Sequence, residues 1–149
     1  MCLNIECEKN PNYMLNYCAP SCTKTVENIL ESFYDLVEND IHGNKIDFSR
    51  FRGKVIYMIN VASYCGYTQD NYAQFRTLQK YYPEGLEIVL APCNAFGAQE
   101  PGTPTDIHHF AEKQGFGGII LSKTEVNGPN TGASFKFLKA KAGKSYIQW

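Results

Sequence analysis

From residue 32 onward, short apolar runs alternate with amphipathic stretches, and turn residues separate them. Residues 32–37 (Ser-Phe-Tyr-Asp-Leu-Val) read as a strand. The turn residues Asn39, Asp40, Gly43 and Asn44 follow, and residues 45–48 return as the second arm of a hairpin. Residues 54–62 (Lys-Val-Ile-Tyr-Met-Ile-Asn-Val-Ala) are β-branched and almost continuously apolar, the pattern of a strand buried on both faces. A helix is predicted next. Thr68 can cap it, Tyr72, Phe75, Leu78 and Tyr82 recur at three- and four-residue steps, and Pro83 and Gly85 stop it. Residues 86–91 form a second buried strand. Thr103-Pro104-Thr105-Asp106 then supplies a cap, a proline at the first helical position and an acid at the third, with Ile107, Phe110 and Ala111 as the apolar side. After Gly115–Gly118 come a short strand at 119–122, a turn at Asn127-Gly128-Pro129, and a last helix over 131–142. That helix turns Phe135 and Leu138 inward and Lys136, Lys139 and Lys141 to solvent. The order β-α-β-α-β-α predicts an α/β fold with right-handed parallel crossovers.

The first 25 residues break this pattern. They hold few aliphatic side chains and no period of 2 or 3.6, so they share no large core, yet four of the six cysteines (Cys2, Cys7, Cys18, Cys22) fall there. Such density points to disulfides and an oxidising compartment, and the spacing also admits a zinc site. It lacks paired Cys-x2-Cys knuckles, and the nearest histidine is His42. No basic segment followed by an apolar one marks a signal peptide. In a chain of 149 residues, a net charge of −1 lacks the electrostatic footprint of a nucleic-acid binder. The longest apolar run, residues 55–62, is interrupted by Asn60 and falls far short of the ~20 residues a membrane span needs.

Two segments carry resemblances. Glu6-Cys7-Glu8-Lys9-Asn10-Pro11-Asn12-Tyr13-Met14, followed by Cys18-Ala19-Pro20-Ser21-Cys22, resembles the C-terminal half of a ShK-toxin-type (ShKT) domain, a small extracellular three-disulfide module. The family's last cysteine falls at Thr25 here and its first half is absent, so residues 1–25 read as a partial ShKT-like segment beside a second unit at 26–149. The resemblance implies a secreted or secretory-pathway protein.

The second resemblance centres on Cys65. It lies just past the end of the 54–62 strand and just before a helix, where open α/β sheets place their ligands and where a helix N-terminus stabilises thiolate. A buried, inert cysteine is the competing reading, and position alone leaves both open. Cys65-Gly66-Tyr67-Thr68 has the spacing of a thioredoxin-type Cys-x-x-Cys with Thr68 in the second place, which leaves a single thiol suited to one-step attack on a peroxide oxygen. Residues 60–68 (Asn-Val-Ala-Ser-Tyr-Cys-Gly-Tyr-Thr) resemble the active-site signature of the glutathione peroxidase family, with Cys where many animal members carry selenocysteine. Residues 92–102 (Pro-Cys-Asn-Ala-Phe-Gly-Ala-Gln-Glu-Pro-Gly) resemble its second signature, and Val126-Asn127-Gly128 fits as well.

That resemblance, over about residues 32–149, implies a thioredoxin-like fold and a peroxidase reducing hydrogen peroxide and organic hydroperoxides. Glutathione is the implied co-substrate, and no cofactor is implied. Cys65 takes the peroxidatic position, Gln99 the catalytic amide, and Trp149 the indole of the Trp-Asn-Phe motif, assigned from its left flank because the chain stops there. Cys93 aligns with a cysteine that resolves the oxidised sulfur in some secretory-pathway members, whose partner is protein disulfide isomerase. Glu112 stands where thioredoxin-dependent relatives carry their resolving cysteine, which disfavours that route. The family's later strands and final helix have no counterpart, so a C-terminally truncated domain with an exposed apolar edge is expected. The assembly insertion of tetrameric members is lacking, and a monomer is expected. The rival readings are an inactive thioredoxin-fold fragment and a secreted ShKT-type binding module. His108 and His109, adjacent on a helix, point about 100° apart and form no i, i+4 metal pair.

Overall fold

The structure, a computed structural model, describes residues 32–148. The ShKT-like segment and Trp149 lie outside the described residues.

Among the described residues, two sheets carry the fold. Val37–Asn39 (β1) and Lys45–Asp47 (β2) pair antiparallel, with Val37 opposite Asp47. Val55–Val61 (β3), Leu86–Pro92 (β4) and Ile119–Ile120 (β5) form a parallel sheet in the order β3-β4-β5. Thr68–Tyr81 (α1) links β3 to β4, Pro104–Lys113 (α2) links β4 to β5, and Ala133–Ala142 (α3) follows. The parallel βαβ order matches the sequence expectation.

β4 lies between two cores because its side chains alternate. Ile88 and Leu90 pack on one face with Tyr72 and Phe75 of α1 and with Ile107 and Ala111 of α2. Val89 and Ala91, with Cys93 beyond them, pack on the other with Phe48, Phe51, Leu121 and Phe135. Burial on both sides explains why β4 is apolar from Ile88 onward, with Glu87 as the one charge near its start.

Four local expectations are corrected. Residues 32–37 are not one strand, because Phe33–Asp35 is a single 3-10 turn. The Ser32 hydroxyl accepts from the Tyr34 N–H at 3.2 Å, and the Ser32 N–H donates to Asp35 at 3.1 Å. This reciprocal cap overrides the apolar alternation and delays β1 to Val37. Phe48, read as the end of the hairpin arm, opens a second 3-10 turn, Phe48–Phe51, with Asp47 accepting from the Ser49 N–H. The third correction concerns β3, which is not buried on both faces. It pairs only with β4 among the described residues, and Val55 and Tyr57 are exposed at 66% and 38%. The last helix begins at Ala133 rather than Thr131 and ends on Gly143, whose left-handed backbone (φ 62°) closes it.

Candidate active site

Val61 ends β3 beside Pro92, and the chain then turns sharply. The Cys65 N–H donates to the Ala62 carbonyl at 3.4 Å, and the Thr68 N–H to the Cys65 carbonyl at 3.1 Å, so the cysteine occupies the turn that hands the strand to α1. Tyr67 is the N-cap and makes no side-chain capping bond. Thr68 is therefore not the cap. It is the first helical residue, and its buried hydroxyl donates to the Ala62 carbonyl at 2.6 Å. The residue in the second-cysteine place of a Cys-x-x-Cys pattern thus fastens the turn from below.

Cys65 is half-buried and Cys93 fully buried, and among the described residues both thiols are free. They line one cavity of about 240 Å³. Ile59, Val61, Ala62, Tyr72 and Phe96 give it apolar walls, and Asn60, Asn71 and Gln148 add amides. Tyr67 also lines it, and Tyr64 and Tyr67 are exposed at 72% and 74%.

The two signature segments meet here. The Tyr64 N–H donates to the Gln99 carbonyl at 3.1 Å. Gln99 does not itself line the cavity, and its side-chain oxygen is buried with no hydrogen-bond partner among the described residues. Gly97 and Ala98 immediately before it both hold left-handed backbone (φ 63° and 53°), which bends the loop back toward Cys65's turn. From the far end of the chain, the Asn127 side chain pins Ile147 through two bonds of 2.8 Å, one to its carbonyl and one from its N–H. That clamp delivers Gln148 to the cavity.

Sequence reasoning gave Glu100 no role. Its carboxylate is buried at 1% exposure and accepts from the Ser63 N–H and the Ser63 hydroxyl, both at 2.8 Å. Its own N–H donates to the Asn94 side chain at 2.8 Å. Burial pushes the Glu100 pKa up, against the two Ser63 bonds and the Lys123 charge that hold it down. Burial, and secondarily the Glu100 charge, likewise raises the pKa of the cavity-lining Tyr72. The only sequence signal was an acid inside an otherwise uncharged Gly/Pro-rich loop. Away from this centre, His108 packs its ring against His42 (centroids 4.6 Å) and sits 3.7 Å from Glu112.

A parallel sheet with covering helices, and a cysteine at the strand-to-helix handover, defines the thioredoxin-like class of α/β proteins. A thioredoxin-like protein from Aeropyrum pernix shares that fold at a TM-score of 0.53 and 19% identity, over 70% of this chain and 72% of its own. Residues 33–139 match the glutathione peroxidase family, and the chain belongs to it. It is 42% identical over 117 residues to phospholipid hydroperoxide glutathione peroxidase 1, chloroplastic, of Arabidopsis thaliana, covering 76% of this chain and 49% of that relative. Over 123 residues it is 42% identical to glutathione peroxidase 1, mitochondrial, of Chlamydomonas reinhardtii, covering 79% and 61%. The crystal structure of T. cruzi GPX1 superposes with a TM-score of 0.60 at 29% identity, covering 80% of this chain and 74% of that one. The chain spans about half the length of the Arabidopsis relative.

Proposed function

We propose that the protein is a thiol peroxidase that reduces hydrogen peroxide and organic hydroperoxides, with Cys65 as nucleophile. The observation that carries this reading is Cys65's place: half-buried in the lining of a cavity, at the carboxyl end of a parallel strand and the start of a helix. The thiolate attacks one peroxide oxygen, the O–O bond breaks, and the sulfur becomes a sulfenic acid while the leaving oxygen takes up a proton as alcohol or water. A glutathione thiolate then attacks that sulfur and releases water. A second glutathione frees Cys65 and leaves as the disulfide, so one hydroperoxide and two glutathiones give one alcohol, one water and one glutathione disulfide.

Gln99 and Trp149 serve this centre by hydrogen-bonding around the sulfur. Cys93 is the resolving thiol of a second route, in which it displaces water from the sulfenic acid and a dithiol partner such as protein disulfide isomerase reduces the resulting bond. Its place in the Cys65 cavity supports that route. The apolar cavity walls, and relatives named for phospholipid hydroperoxide, support organic hydroperoxides as substrates. The ShKT-like residues 1–25 support a secreted or secretory-pathway location, with disulfides there, and the protein acts as a monomer.

Peroxide reduction followed by stopped flow, with glutathione and with protein disulfide isomerase, tests the reading on wild type and Cys65→Ser. The variant is expected to lose at least ~100-fold, as when a sole covalent nucleophile is removed. Equal rates remove Cys65 from the chemistry. The inactive-fragment reading draws on the outer edge of β3, unpaired among the described residues, and predicts no turnover by either protein.

A further inference from the structure

The proposed chemistry requires two loops, 62–65 and 94–100, to keep a fixed relation while peroxide binds between their side chains. One backbone bond, Tyr64 N–H to the Gln99 carbonyl, joins them directly. The other join is Glu100. Its two oxygens each accept one bond from Ser63, two residues before Cys65, across a sequence separation of 37. The carboxylate is almost wholly out of solvent, and its own backbone is anchored on Asn94. A charged group removed from water is costly unless its bonds are made, so the contact is stiff: losing the acid would orphan a backbone N–H and a hydroxyl in the half-buried turn that carries the sulfur.

We propose that Glu100 is a positioning residue for the Cys65 centre, its carboxylate gripping Ser63 at two points and so holding the Cys65 turn in register with the Gln99 loop. The inference rests on the peroxidase reading above, and it assigns Glu100 no contact with substrate. Both oxygens bond to Ser63, and the carboxylate is assigned no part in taking Cys65's proton. What it supplies is geometry, and a displacement of about 1 Å at a reacting atom suffices to cost about 100-fold in rate.

The test is single-turnover oxidation of reduced enzyme by hydrogen peroxide, read as sulfenic acid at Cys65, alongside thermal unfolding. The proteins are wild type, Cys65→Ser, Glu100→Ala, Glu100→Gln, Ser63→Ala and the Glu100→Ala/Ser63→Ala double variant. Glu100→Ala is expected to slow oxidation by about 10- to 100-fold per folded molecule. Glu100→Gln keeps an oxygen for the Ser63 N–H and turns its NH2 toward the hydroxyl, so it is expected to stay within about threefold of wild type. Ser63→Ala loses the hydroxyl bond but keeps the N–H bond, so it should fall between, and it should add nothing further in the Glu100→Ala background, where the hydroxyl's partner is already gone. If Glu100→Ala does not fold, the ranking of Ser63→Ala below Glu100→Gln decides the matter. A Glu100→Ala rate lowered only in proportion to its unfolded fraction overturns the proposal, as does a Ser63→Ala rate equal to wild type. Wild type no faster than Cys65→Ser sinks the peroxidase reading and this inference with it. An active wild type with indifferent Glu100 variants sinks this inference alone.

Discussion

Ala98 holds a left-handed backbone at φ 53°, a conformation in which a Cβ crowds the following carbonyl and which costs an ordinary residue about 1–2 kcal/mol. Gly97 beside it adopts the same region without that cost, and the pair delivers Gln99 and Glu100 to the cysteine turn. Ala98→Gly should therefore stabilise the protein by up to about 1 kcal/mol, after the larger chain entropy of glycine is subtracted. The check is a rise of a few degrees in Tm at most; a fall would show that the strain is not local. At this scale the sequence was legible for Cys65's place in the fold, because a cysteine between an apolar strand and an amphipathic helix is visible as a pattern. It was silent on Glu100 and on Thr68's bond to Ala62. Their partners lie in turns, where no periodicity reveals which hydroxyl or N–H a side chain will meet.

Elements with reciprocal caps behaved as their sequence predicted when the cap was read, and otherwise did not. In α2 the Thr103 hydroxyl accepts from the Asp106 N–H at 3.3 Å while the Thr103 N–H donates to Asp106 at 2.9 Å. The same device at Ser32 and Asp35 escaped the strand reading, because a three-residue turn has no room for a helical period. Thr103→Ala should cost about 1 kcal/mol, seen as a lower denaturation midpoint at unchanged m-value. A loss below a few tenths would mean that Pro104 alone sets the helix start. β3 failed for a different reason. An apolar run records that a strand is apolar, not how many neighbours it has, and β3 has one among the described residues. Val55, two-thirds exposed, stands on that unpaired edge beside Tyr57 and an apolar hollow lined by Leu78, Tyr82 and Leu86. Val55→Lys should reduce loss to sedimenting material on concentration while leaving Tm within about 1 °C, since an edge charge blocks strand addition and removes little packing. Equal losses for the two proteins would clear the edge of blame.

Across the whole molecule, the burial of β4 was legible in its apolar run, whereas the split of its side chains between two cores and the balance of charge against burial emerge only once the chain is folded. That balance predicts the shape of stability against pH. Glu100 keeps its proton in the fold to a higher pH than its ordinary value of 4.5, because burial disfavours the carboxylate. Its contribution is fully present below 4.5 and is lost as pH rises through the elevated folded value. Three aspartates run the other way from an ordinary value of 3.8. Burial lifts Asp40, but bonds from the Asn44 side chain and from the Asn44 and His42 backbones, with the His42 charge, outweigh it. Asp47 is held low by the Ser49 hydroxyl and backbone, and Asp106 by those of Thr103. Their contributions are present above 3.8 and are lost as pH falls through the depressed folded values. The two windows do not overlap. On acidification from neutrality, wild type should first gain thermal stability through the range above 4.5, then level off, then lose it below 3.8. Glu100→Gln carries no proton to take up, so its Tm should be flatter than wild type through the upper window and fall with it in the lower one. The difference between the two proteins cancels the histidines and every other shared group, which makes it the quantity to measure. A constant difference from pH 7 to pH 4 would mean that Glu100 titrates alike in the folded and unfolded chain, and that its burial costs the charge nothing.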